Sequence, residues 1–100
     1  MSYNNNYNYW IEELLATLDR KTAEITFAPH ALDRKEYYNI DLEKAEETVR
    51  MGEVRAEKCS EPGKVCFELY FGKENRTCSV IAIFHKQFIE VKTIWQRKGR

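Results

Sequence analysis

Apolar positions along this chain follow two spacings, and the change between them falls at Gly52. Before it they recur as on a helix. Trp10, Ile11, Leu14, Leu15 and Leu18 share one helical face, which predicts a helix over residues 9–20 with Glu12, Glu13 and Asp19 turned away. Glu24 to Phe27 reads as a short strand. Pro29 opens a second helix to about Tyr38, because the first helical turn leaves the missing N–H of proline without consequence. Asn39-Ile40-Asp41 interrupts it. Asp41 then suits the N-cap of a third helix, Leu42 to Met51, with Leu42, Ala45 and Val49 on its apolar side and Gly52 as its stop.

Beyond Gly52 the period becomes two. Val54 to Cys59 reads as a strand. Val65, Phe67, Leu69 and Phe71 then share one face of the next, with Cys66, Glu68 and Tyr70 on the other. Thr77 to Phe84 is apolar on both faces, as at the centre of a sheet. Phe88 to Trp95 is the last strand, with Ile89, Val91, Thr93 and Trp95 on one face. Glu61-Pro62-Gly63-Lys64 has the proline and glycine of a type II turn. Gly72 to Arg76 and His85-Lys86-Gln87 are further tight connections. Residues 1–8 read as a flexible polar arm, and residues 96–100 as a basic tail with no internal reason to fold.

Short turns make the last four strands antiparallel neighbours. The helices then have a sheet face to cover. The expectation is a single α+β domain over residues 9–100, a two-layer sandwich of two to three helices on a twisted antiparallel sheet of four to five strands.

Composition agrees with one domain: 100 residues, 43% hydrophobic and 13% aromatic. No apolar run reaches the roughly 18 residues of a membrane span, and residues 1–9 lack the regions of a signal peptide. A soluble cytoplasmic protein with no membrane partner is expected. The odd cysteine count, Cys59, Cys66 and Cys78, argues against a disulfide framework. With His85 these thiols match no common zinc spacing, so neither metal nor cofactor is expected.

Charge is balanced overall but not along the chain. Residues 1–47 hold 5 Lys/Arg and 10 Asp/Glu, whereas residues 48–100 hold 11 and 6. The two halves could meet a basic and an anionic partner, and an ordinary solvated surface carries the same asymmetry.

Candidate chemistry gathers in two places. His30 and Arg34 are four apart, so one helix face carries a titratable imidazole beside a permanent cation. His85, Lys86, Lys92, Arg97, Lys98 and Arg100 form a basic group that could hold a nucleic-acid backbone, with Tyr70 and Trp95 as flat faces for stacking. The pI near 6.7 argues against a grip by charge alone. Glycine-rich phosphate loops, HExxH and nucleophile elbows are all missing from the sequence.

The run Ile25-Thr-Phe-Ala-Pro-His-Ala-Leu-Asp-Arg34, the step Asn39-Ile40-Asp41 and the closing Val91-Lys-Thr-Ile-Trp95 resemble a family of small domains in the RelE/ParE toxin superfamily, over residues 24–96. Asn39 stands where glycine is common in that family. The resemblance implies the toxin half of a toxin–antitoxin pair, with an antitoxin-like protein as partner. RelE-like members cleave mRNA without a metal by attack of a ribose 2′-OH, and ParE-like members inhibit DNA gyrase instead. In the RelE-like case His30 would serve as base or acid. Arg34 would neutralise the charge building on the phosphate, and Arg97 would join it from its place after the last strand. The alternative is a non-catalytic module of the same fold that binds protein or dimerises through residues 9–20.

Overall fold

The computed structural model describes residues 10–59 and 63–100, so the predicted polar arm and part of the Pro62-Gly63 turn lie outside the described residues. Gly63 itself is described, and its φ of 89° is one that glycine adopts without strain.

The fold is α+β: helices packed on a five-stranded sheet. Residues 10–15 are helical, so the helix expected over 9–20 is shorter: the chain leaves it in turns over 16–18, where Thr17 Oγ1 donates to the Leu14 carbonyl at 2.7 Å. β1 (Glu24–Phe27) follows, then α1 (Pro29–Tyr38) and α2 (Leu42–Met51). β2 (Glu53–Val54), β3 (Lys64–Phe71), β4 (Arg76–Phe84) and β5 (Phe88–Lys98) complete the chain, in the spatial order β1-β5-β4-β3-β2. β4 is the middle strand, as its apolar run implied. β2 to β5 are successive antiparallel neighbours, while β1 lies parallel to β5. The sheet is therefore mixed rather than wholly antiparallel. Two helices separate β1 from the hairpins, so no tight turn dictates its direction.

The Asn39-Ile40-Asp41 step joins the two helices. Asn39 is left-handed, φ 56° and ψ 51°, and its N–H bonds the Glu36 carbonyl. Glycine and asparagine tolerate that conformation best. Ile40 is buried, and Asp41 accepts the Glu43 N–H at 3.1 Å as the N-cap of α2. At the other end of α2, the Arg20 guanidinium donates to the carbonyls of Val49 and Gly52 at 2.9 and 2.8 Å and stacks on Phe67.

Val49, Ala45 and Ala31 from the helices and Ile40 from the step between them meet Val65, Phe67, Val80, Ala82, Ile89, Val91 and Ile94 in the core. Ile11 is buried there, with Trp10, Leu14, Leu15 and Leu18 packed against it. The apolar face of the first helix is thus turned on the core of its own chain.

Three local readings are corrected. Val54 to Cys59 is not one strand: β2 ends at Val54 and the chain turns through a 3-10 helix, Ala56–Lys58. The Cys59 sulfur takes the Cys66 N–H at 3.3 Å and its thiol donates to the Arg55 carbonyl, replacing the ladder that a longer strand would make. In β5, strict alternation fails at Lys92. Ile81 pairs with Thr93 but Ala82 with Val91, so a bulge shifts the phase and Ile94, not Thr93, enters the core. Finally, residues 96–98 continue β5 rather than forming a tail. Gly99 N–H bonds the Asn75 carbonyl, and Thr77 Oγ1 donates to the Gly99 carbonyl.

Candidate functional site

The helices cover the sheet face that carries Phe67, Val80 and Ile94. Alternation sends Cys66, Glu68 and Tyr70 of β3, Thr77 and Ser79 of β4, and Trp95 and Arg97 of β5 to the opposite face. Glu68 sits there only 4% exposed. A buried carboxylate needs partners, and this one has four. Arg55 Nε lies 3.0 Å from Oε1; Lys58 Nζ, Arg97 Nη1 and Ser79 Oγ lie 2.9, 3.1 and 2.7 Å from Oε2. Arg55 and Lys58 reach it because the chain folds over β3 after β2 stops. Arg97 reaches it because β5 runs on past Trp95.

Burial works to raise the Glu68 pKa. Hydrogen bonds from Lys58, Ser79, Arg97 and Arg55 outweigh it and hold the carboxyl down to about 2. Glu68 is ionised at any physiological pH, and its oxygens are saturated with donors. Such a group is a weak base and a strong organiser of cations.

Beside the cluster lies a hollow of about 290 Å³. Arg55, Arg97 and Arg100 line it with Glu53, Glu68, Tyr70 and Thr77, and Met51 and Leu69 complete the lining. The Arg100 guanidinium stands 4.5 Å over the Tyr70 ring, whose hydroxyl donates to Asn75 at 2.7 Å. Arg97 also donates to the Arg100 carbonyl at 3.0 Å. Of its charged groups, Glu68 is consumed by the cations around it and Glu53 stands out in water, 4.0 Å from Arg55. The guanidinium side dominates, and it suits an anion presented as a planar or branched oxyanion.

His30 and Arg34 do share a face of α1, but both are exposed. The Arg34 Nε is 3.5 Å from His30 Nε2, a long contact at the limit of hydrogen bonding. Neither lines any of the described hollows, and Arg97 points from the opposite side of the sheet. The basic group also divides. His85 bonds Glu90 at 2.9 Å and stacks on Phe88 at the β4–β5 turn. Lys86 is exposed in that turn, and Lys92 sits at the bulge, 3.9 Å from Glu90. Arg97, Lys98 and Arg100 are at the far end of β5, roughly 30 Å from that turn and about 17 Å from Lys92 at the rise of an extended strand. Lys98 is exposed and pairs in register with Arg76. Of the residues singled out from sequence, only Tyr70, Arg97 and Arg100 meet around one hollow.

The sequence places Glu68 on a strand face but assigns no chemistry to it or to Arg55, Lys58 and Ser79. A lone Glu on an otherwise apolar strand, Cys66-Phe-Glu68-Leu, was the available signal. Among the described residues no His, Cys, Asp and Glu side chains gather in a group fit to hold a metal. No helix of the described residues is long and apolar enough to cross a membrane. Comparison with known protein families, with characterised proteins and with solved structures finds no match.

Proposed function

We propose that this protein is a RelE-like toxin that binds RNA in the hollow beside Glu68 and promotes metal-independent cleavage there by charge stabilisation. One observation carries the reading: Arg55, Lys58 and Arg97 converge on a single buried carboxylate, next to Arg100 and an aromatic ring. Glu68 balances one charge and aligns the rest. A phosphodiester in the hollow would meet guanidinium donors already oriented, with Tyr70 beside it for a base. When a ribose 2′-OH attacks the adjacent phosphorus, passing its proton to water, and the P–O5′ bond breaks with the 5′-oxygen taking a proton from water, negative charge builds on the non-bridging oxygens, and fixed cations stabilise that state more than the ground state. The helix-on-sheet fold is of the class that the sequence resemblance implies, but the site it implies, His30 with Arg34, lies on the other layer.

The hollow holds no imidazole. Proton transfer by His30 would need an RNA chain reaching the opposite layer, so His30 is outside this mechanism. The missing base favours a second reading, a module that binds an anionic partner without cutting it.

Cleavage of single-stranded RNA in EDTA separates these. Wild type is expected to cleave, His30→Ala to retain activity, and Arg97→Ala to lose about 100-fold or more with its fold intact by circular dichroism. Loss in His30→Ala instead would move the chemistry to α1. RNA left uncut by wild type would leave the binding module.

A further inference from the structure

The turn that carries Arg55 and Lys58 is tied to β3 through sulfur. Cys59 closes it, and its Sγ takes the Cys66 N–H and donates to the Arg55 carbonyl, both at 3.3 Å. The Arg55 N–H bonds the Cys66 carbonyl at 2.9 Å. Both backbone groups of Cys66 are thus spent on this turn. Laid end to end, the path from the Cys59 Cα through its sulfur to the Cys66 N and Cα is roughly 7.6 Å long, so the two Cα atoms stand closer than that, at the span a disulfide bridges. Cys78 is out of reach. It shares the helix side of β4 with Val80 and faces Thr48 of α2, whereas Cys66 belongs to the opposite face with Glu68.

The two thiols differ in their surroundings. Cys66 is fixed within β3 and fully buried, and burial pushes its thiol up to about 12, so it stays protonated. Cys59 is buried only while the turn is closed. That turn is a single 3-10 turn, Ala56–Lys58, with no buried residue, and β2 ahead of it makes two pairs. Such a segment opens at low cost while β3 holds.

We propose that Cys59 is a peroxide-reactive thiol and Cys66 its resolving partner, and that the pair closes to a disulfide which staples the turn to β3. In the open turn the Cys59 sulfur attacks one oxygen of a hydroperoxide, the O–O bond breaks, and the leaving oxygen departs with the thiol proton as water or an alcohol. Cys59 then carries a sulfenic acid. When the turn recloses, the Cys66 sulfur attacks the Cys59 sulfur, the S–O bond breaks, and the hydroxyl leaves with the Cys66 proton as water. The two sulfurs give up two electrons, and the peroxide takes them. The product holds Arg55 and Lys58 beside Glu68 through a covalent bond. Neither thiol lines the hollow, so this chemistry is independent of RNA.

The test oxidises the full chain with hydrogen peroxide, stops the reaction with catalase and counts thiols with N-ethylmaleimide in urea. Of the three cysteines only Cys78 should react, and dithiothreitol should restore all three. Cys59→Ser should keep both of its thiols, and Cys78→Ser should lose both. The oxidised chain should unfold at higher urea than the reduced one, because the bond restricts the unfolded state, and exchange of the Cys59 amide should slow. Three reactive thiols after peroxide, Cys59 carried on to a sulfinic acid, a bond to Cys78 or between chains, or an oxidised chain that unfolds at lower urea would overturn it.

Discussion

Glu68 shows how much one side chain can hold together. Its pKa, lowered from 4.5 to about 2, means the folded state binds its proton less readily than the unfolded chain. The cluster therefore stabilises the fold fully above pH 4.5, and that stability disappears as pH falls toward 2. Its partners are partly exposed and water-screened, so the contribution is about 2 kcal/mol rather than the full value of the shift. Glu68→Gln should cost that amount in urea unfolding at pH 7, and the gap to wild type should close by pH 2. A gap independent of pH would assign the cost to packing. Asn39 offers a test of a different kind, because its left-handed backbone costs an L side chain. Asn39→Ala should lower stability by about 1 kcal/mol and Asn39→Gly should not, read as thermal midpoints. Arg97 was legible as a candidate because it follows a strand. Glu68 was not, because its partners come from 10, 11, 13 and 29 positions away, and it takes the pairing of β3, β4 and β5 and the turn after β2 to assemble them.

Among the elements, those with strong local signals were legible and those set by distant contacts were not. Pro29, Asp41 and the apolar run of β4 mark their elements by chain stiffness, capping and burial. The strand read over residues 54–59 failed because a thiol and a carboxylate capture that segment. The bulge at Lys92 is silent in the sequence, since Thr93 and Trp95 continue the alternation as well as Ile94 does. Burial separates the two phases. Ile94→Ala should cost about 2–5 kcal/mol, and Thr93→Ala well under half of that, by urea unfolding. Gly52 is the stop of α2 that the sequence indicates, and its φ of −74° suits any residue. Its role is space. An added methyl would meet the Thr48 carbonyl and lie 2.8 Å from the Glu68 carbonyl, where α2 touches β3. Gly52→Ala should therefore destabilise by about 2–3 kcal/mol, although alanine also narrows the freedom of the unfolded chain.

For the molecule as a whole, the charge asymmetry of the sequence becomes an asymmetry of surfaces. Glu43, Glu46 and Glu47 stand on α2, while Arg55, Lys58, Arg97 and Arg100 stand beyond the sheet. Fold class and strand polarity for β2 to β5 were legible, because periodicity and short turns are local. The place of β1 beside β5 was not. Neither was the division of the basic residues between the two ends of an extended strand. If RNA is held by three or four cations, the logarithm of its affinity should fall against that of salt with a slope of about −2 to −3.

Residue-by-residue mapping of RNA binding is the most direct measurement. Nitrogen-15 spectra of the full chain would be followed as a 2′-O-methyl oligouridylate, which cannot be cut, is added in EDTA at low salt. Shifts should concentrate at Arg55, Lys58, Tyr70, Thr77, Arg97 and Arg100 and leave His30 and Arg34 unmoved. Shifts centred on α1, or none at saturating RNA, would contradict the assignment of the cationic hollow as the site.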